Sequence, residues 1–216
     1  MCRRSMIARW ILATLTATFL ALFVFAVNSE TAEAEDAATT KTAIFAGGCF
    51  WCVEDAFDKV DGVSETVSGY AGGDLPNPTY GSHEGHVEAL KVTYDPSKVT
   101  FAELLDNFWR NIDPFDATGQ FCDKGPAYRT VVFVSNDAEE SLAKQTKQHI
   151  AKRFGKDVET KIRPTSTFTA AEDYHQDYHT KNPVSYKYYK WNCGRDQRLS
   201  DLWGGKSSCR ELVLPT

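Results

Sequence analysis

The chain has 216 residues, 42% of them hydrophobic and 12% aromatic, a length and apolar content that fit one domain with a sizeable core. Its formal charge is −5, from 24 basic and 29 acidic side chains, and no basic stripe runs along it. That balance argues against nucleic acid or an anionic lipid surface as partner.

Arg3, Arg4 and Arg9 precede the apolar run Trp10 to Val27, and Ala32 and Ala34 follow in an A-x-A arrangement. Residues 1–34 therefore read as a signal peptide or N-terminal membrane anchor with its processing region. The expectation is an exported protein, periplasmic or anchored and facing outside the cytoplasm, touching membrane only through an uncleaved leader. Losing three basic and two acidic residues with the leader takes the formal charge from −5 to −6. Residues 35–41, acidic and rich in Ala and Thr, make a flexible spacer. Residues 42–216 are expected to form a single domain.

Thr42–Phe45 is expected as a short buried strand and residues 50–60 as a helix. VSETVSGY is strand-like, AGGDLPNPTYGSHEG is a loop by its Gly and Pro content, and HVEALKVTY alternates as a strand up to the Asp95-Pro96 turn. Thr100 and Glu103 fit a capping box for FAELLDNFWRNI, whose Phe101, Leu104, Leu105, Phe108 and Ile112 recur at helical spacing. A loop to Ala127 leads into the strand YRTVVFVS. Asn136 or Asp137 caps a long charged helix that ends at Phe154 with Gly155 behind it, and VETKIR is a further strand. The order βαββαβ predicts an α/β (α+β) two-layer sandwich with a ferredoxin-like split βαβ core. Residues 183–216 carry few apolar positions and are expected to wrap the outside.

Of six cysteines, Cys2 lies in the leader, and Cys49, Cys52, Cys122, Cys193 and Cys209 remain. An odd number in an exported chain leaves one thiol over and does not fit a plain disulfide framework. Cys49 and Cys52 bracket Phe50-Trp51 where a strand gives way, through Gly47 and Gly48, to a helix. Unpaired N–H groups and the macrodipole at a helix N-terminus lower a thiol pKa, so Cys49 is expected as an ionised nucleophile with Cys52 one turn on. Taken alone, the C-x-x-C also suits buried core thiols, a structural disulfide, a thioredoxin-like dithiol oxidoreductase, or a metal carrier using Cys49, Cys52, His175 and His179. A zinc site lacks a second C-x-x-C.

Six blocks in order, GGCFWCVEDAF, SGYAGG with NPTY, GHVEALKVTYDP, QFCDKGPAYRT, AEDYHQDYHTKNP and NCGRDQRL, span roughly residues 42 to 203. Together they resemble the A-type peptide methionine sulfoxide reductases, in the subgroup with GCFWC. The resemblance implies reduction of methionine S-sulfoxide, protein-bound or free, with Cys49 as nucleophile. A thioredoxin-like dithiol would be the electron donor, with no prosthetic cofactor and no metal, in a monomer. Phe50 and Trp51 would wall the pocket for the S-methyl group. Glu88, on one strand face with Leu90 and Val92, would stay protonated in apolar surroundings and give the sulfoxide oxygen its proton. Tyr80 and Tyr128 would donate hydrogen bonds to that oxygen, and Asp123 matches a further polar pocket position. The resulting Cys49 sulfenic acid would be resolved by Cys52, with Cys193 passing the disulfide outward; Cys122 is a third candidate. Cys209 would be a tail thiol. AEDYHQDYH is expected as a structural polar turn, and His86 as a residue orienting the strand entrance. Two departures from the family pattern stand out: the segment between Tyr80 and His86 is short, and Ala127 stands where a glutamine commonly precedes the tyrosine.

Overall fold

The computed structural model describes residues 40–204. The leader, most of the spacer and the tail with Cys209 lie outside the described residues. A six-stranded sheet runs in the order β7-β6-β1-β3-β2-β8. Its strands are β1 (Lys41–Ala46), β2 (Val63–Ala71), β3 (Val87–Tyr94), β6 (Val131–Val134), β7 (Lys161–Pro164) and β8 (Phe168–Ala170), and a separate hairpin is built from β4 (Gly119–Gln120) and β5 (Asp123–Lys124). The inner four strands, β6-β1-β3-β2, pair antiparallel throughout. With helix α1 (Phe50–Phe57) between β1 and β2, and α2 (Phe101–Arg110) between β3 and β6, this is the expected split βαβ core. Helix α3 (Asp137–Phe154) leads from β6 to β7, which pairs parallel to it.

Alternation along each strand explains the layering. Ala43 and Phe45 of β1, Leu90 and Val92 of β3, and Val132 and Val134 of β6 face the helices. Ile44, Ala46, Ala89, Val131 and Phe133 form a smaller cluster on the opposite face. Phe45 is fully buried and stacks on Phe57 at 5.0 Å and on Phe108 at 5.3 Å, so one strand residue ties both crossover helices to the sheet. The helix boundaries follow the capping chemistry. Thr100 and Glu103 complete a reciprocal capping box, the Asn136 side chain accepts from Glu139 N–H, and Gly155 closes α3 in the left-handed region.

The C-terminal segment lies largely exposed on the outside, but it is helical and anchored. Residues 183–203 do not simply wrap the outside. They form α5 (Pro183–Asn192) and α6 (Arg195–Trp203), after a one-turn α4 (Tyr178–Lys181). Arg195 donates to the Asn111 carbonyl at 2.6 Å, Trp203 Nε1 to that of Ile112 at 3.4 Å, and Arg198 pairs with Asp113 at 2.7 Å. Cationic and N–H donors thus complete the orphan carbonyls at the C-terminal end of α2. That satisfaction adds to the apolar packing of Leu199, Leu202 and Trp203 on the main core, and together they dock a largely polar segment. Strand β7 begins at Lys161, three residues later than VETKIR suggests, and β8 and the β4–β5 hairpin were not expected. Among the described residues no helix is long and apolar enough to cross a membrane.

Removing the Phe45 ring should cost about 3–5 kcal/mol of stability, since both helices pack on it. In urea, Phe45→Ala should lower the unfolding midpoint with an unchanged m-value; a loss under about 1 kcal/mol would contradict this packing.

Candidate active site

The turn from β1 into α1 sets the site. Gly48 adopts φ +83, and a Cβ there would meet the Gln120 side chain at 2.5 Å, so only glycine lets the chain turn beneath Gln120. Gln120, buried, accepts from Asp113 N–H at 2.8 Å and donates to the Asp113 carbonyl at 2.8 Å, fixing the loop beside the turn. Cys49 is the N-cap of α1 and makes no side-chain capping bond. The first helical N–H, that of Phe50, donates instead to Glu88 Oε2 at 3.0 Å.

Cys49, Phe50, Trp51, Tyr80, Glu88, Asp123 and Tyr128, the nucleophile, the acid and all five pocket residues expected from sequence, line one cavity of about 60 Å³. Trp51 is held in place: its Nε1–H donates to His175 Nδ1 at 3.2 Å, and its ring stacks on Tyr178 at 3.8 Å. Glu172 accepts the Tyr80 N–H at 2.9 Å and the Tyr70 hydroxyl at 3.1 Å, which ties the loop bearing Tyr80 to β2. Tyr80 and Tyr128 both line the cavity, and burial holds both phenols above their ordinary pKa, so they remain donors. Glu88 is almost fully buried, and burial pushes its pKa up to about 8; Asp123 and Cys52 add to this and the Phe50 N–H opposes it.

An eighth wall residue, Tyr189 of α5, did not emerge from the sequence. Its hydroxyl donates to Asp123 Oδ2 and lies within hydrogen-bonding reach of Cys49. One helical turn earlier, the Tyr186 hydroxyl donates to Asp55 Oδ2 at 2.9 Å and reaches Cys52. Helix α5 thus brings one phenol to each sulfur. The spacing Tyr186/Tyr189, i and i+3, was the available signal.

The surroundings of Cys49 work against the charge state expected for it. Its thiol is pushed well above the ordinary value by burial, then by Cys52 and Glu88. Cys52 is instead drawn down to about 6, chiefly by the hydrogen bond from Cys49, with Arg195, Tyr186 and Lys190 also favouring its thiolate. The physical reason is that the first free N–H of α1 serves Glu88, while the cations arrive from α5 and α6 on the Cys52 side.

Cys193 is disulfide-bonded to Cys122, joining the end of α5 to the β4–β5 hairpin, with Cα atoms 4.8 Å apart. Cys49 and Cys52 are the free thiols of the described residues. His175 and His179 do not face a common point: His175 serves Trp51, whereas His179 lies 3.3 Å from Asp58 and 3.7 Å from Glu54. His86, buried, takes the Gly73 N–H on Nδ1 and contacts the Leu75 carbonyl through Nε2 at 2.9 Å, bracing the loop ahead of β3.

A buried thiol pair, a buried acid and an aromatic wall on a split βαβ sandwich define a thiol-dependent oxidoreductase. Residues 41–207 match the family model described as peptide methionine sulfoxide reductase. Peptide methionine sulfoxide reductase MsrA 2 of Caulobacter vibrioides is 48% identical over 185 residues, covering 83% of this chain and 94% of that protein. The protein of the same name from Rhizobium meliloti is 46% identical over 173 residues, 79% and 87% of the two chains. Among solved structures, reduced Mxr1 from Saccharomyces cerevisiae is 34% identical with a TM-score of 0.62, covering 69% of this chain and 89% of that one. Methionine sulfoxide reductase A of Corynebacterium diphtheriae is 31% identical at a TM-score of 0.61, with 67% and 76% covered. The chain belongs to the peptide methionine sulfoxide reductase family, in its A-type branch, the peptide-methionine (S)-S-oxide reductases.

The reduced site should show a thiolate absorbance step near pH 6 that Cys52→Ser removes. Persistence of that step in Cys52→Ser would place the anion on the other sulfur.

Proposed function

We propose that Cys49 is the sulfur that attacks methionine S-sulfoxide and Glu88 the acid that protonates the departing oxygen. The observation that carries this is the single cavity holding a thiol, a carboxyl kept neutral to about pH 8, two phenol donors and the Phe50–Trp51 wall. The S-methyl group lies against the rings, and the S–O oxygen takes hydrogen bonds from Tyr80, Tyr128 and Glu88. As Cys49 attacks, its proton passes to the Cys52 thiolate beside it, and Glu88 protonates the oxygen. The oxygen moves to Cys49: methionine sulfoxide is reduced to methionine and the thiol is oxidised to a sulfenic acid. Asp123 acts through Tyr189, fixing the phenol beside the Cys49 sulfur.

Cys52 then attacks the sulfenic sulfur, releasing water and forming the Cys49–Cys52 disulfide. Its helical position one turn on and its low pKa both support this role. The structure's oxidation pattern, inner pair reduced and Cys122–Cys193 joined, has the form of a relay in which the outer pair takes over the inner disulfide. Cys122 is exposed and is the sulfur open to an external dithiol, and a thioredoxin-like protein supplies the electrons without a prosthetic group. The leader signals in residues 1–34 support action outside the cytoplasm, with a donor working there, in the repair of oxidised proteins.

Four outcomes test this reading. Cys49→Ser should abolish sulfoxide reduction with dithiothreitol, while Cys52→Ser should still release one equivalent of methionine in a single turnover but fail to cycle with thioredoxin. Glu88→Gln should slow the chemical step by about 10²–10⁴-fold. In pH dependence, the Cys52 thiolate appears as pH rises through about 6 and the Glu88 proton is lost as pH rises through about 8, so kcat/KM should peak between them. The descending limb should vanish in Glu88→Gln; its persistence would assign the proton to another group.

A further inference from the structure

Among the described residues, one set of three metal-ligating side chains brings its donor atoms together. Cys122, Asp123 and Cys193 place two sulfurs and a carboxylate oxygen all within 4.8 Å of one another. Asp123 is divided between this set and the catalytic cavity. Its Oδ2 accepts from the Tyr189 hydroxyl, a cavity wall, while its Oδ1 lies 3.8 Å from Cys122 Sγ.

The supports of these three residues do not depend on the Cys122–Cys193 bond. Cys122 sits in the turn of the β4–β5 hairpin, where Gln120 pairs with Asp123 and Gly119 with Lys124. Cys193 caps α5, its N–H bonded to the Tyr189 carbonyl at 3.0 Å, and α6 behind it is fixed by Arg195 and Arg198. Opening the disulfide therefore leaves two thiols beside one carboxylate. A disulfide holds its sulfurs about 2.0 Å apart, and two thiolates about 2.3 Å from a tetrahedral zinc sit about 3.8 Å apart, so the change needed is under about 2 Å. A thiolate and a carboxylate oxygen on the same ion are about 3.6 Å apart, close to the 3.8 Å between Cys122 and Asp123. The neighbouring cations are engaged elsewhere: Lys124 pairs with Asp116, and Arg195 serves the Asn111 carbonyl and the Phe121 ring. Cys122 is exposed, which gives an ion its way in.

We propose that the reduced Cys122–Cys193 pair and Asp123 form a redox-gated binding site for a thiophilic divalent cation such as zinc, its fourth position taken by water. Two thiolates select against magnesium and calcium. An external dithiol supplies two electrons and two protons, which break the Cys122–Cys193 bond to give two thiols, and itself closes to a disulfide. The ion then displaces both thiol protons and binds two thiolates and a carboxylate. A bound ion takes both outer sulfurs out of the relay proposed above, so metal and inner disulfide compete for one pair. Binding itself does not need that relay.

The test measures zinc affinity by competition with a chromogenic chelator. The parent chain carries Cys2→Ser, Cys49→Ser, Cys52→Ser and Cys209→Ser, leaving Cys122 and Cys193 as its two thiols. Reduced with a phosphine and freed of it, the parent should bind one zinc; oxidised, it should bind none. Adding Asp123→Asn should weaken binding at least about tenfold, since losing even an outer partner of a ligand costs about 10–100-fold. Urea midpoints against the reduced parent check that this variant folds. Cadmium gives a reading that needs no further substitution: a thiolate-to-metal absorbance band in the reduced parent, absent when it is oxidised. No zinc on the reduced parent, equal affinity in the oxidised one, or Asp123→Asn binding as the parent does would overturn the site. None of these outcomes touches the catalytic reading, which fails separately if wild type does not reduce methionine sulfoxide.

Discussion

One hydrogen bond organises this site: Phe50 N–H to the Glu88 carboxyl at 3.0 Å. It joins the N-terminus of α1, at the thiol pair, to the N-terminal end of β3, where Glu88 sits buried as the second residue of the strand. An N–H bond to a charged carboxylate is worth about 1.5–3 kcal/mol and by itself favours ionisation. The carboxyl nevertheless sits near pH 8, a displacement from 4.5 that corresponds to on the order of 5 kcal/mol. Burial therefore outweighs the hydrogen bond. The helix end positions the acid, and the apolar surroundings keep its proton.

A second consequence concerns the sulfurs. Since the helix N-terminus is engaged by Glu88, the thiol pair shares its negative charge according to what else is near. Arg195, stacked 4.4 Å over the Phe121 ring, Lys190 and the Tyr186 hydroxyl all lie on the Cys52 side, and they come from the two C-terminal helices. Those helices are held at the far end by Arg198 and Trp203 and at the pocket end by the Cys122–Cys193 bond. The C-terminal segment is therefore a working wall of the site. Its docking brings Arg195, Lys190 and Tyr186 toward Cys52 and sets Tyr189 in the cavity wall with Cys49.

Much of this was legible in the chain. Apolar runs gave the strands of the split βαβ core, β1 and β6 being buried on both faces, and helical spacing gave α2, which buries one face. Glu88 was readable as an inward acid because it falls on the period of Leu90 and Val92. What stayed hidden depended on long-range docking. PVSYKYYKWN and RDQRLSDLW look solvated, and their role appears only when Arg195 meets the open carbonyls behind α2. Without that docking no local rule brings Tyr189 to Cys49 or predicts that Cys52 carries the charge. The strand β8 is three residues long and has no periodic signal of its own. The Cys122–Cys193 pairing spans 71 residues, a separation that sequence alone leaves among several possibilities.

The central claim is a buried carboxyl that is still an acid at neutral pH. Isotope-edited infrared difference spectroscopy of wild type against Glu88→Gln addresses it without reference to turnover. The account predicts a protonated carboxyl stretch at pH 6.5, absent in the variant, that bleaches with a midpoint near pH 8. A carboxylate band for Glu88 already fully formed at pH 6.5 would contradict it.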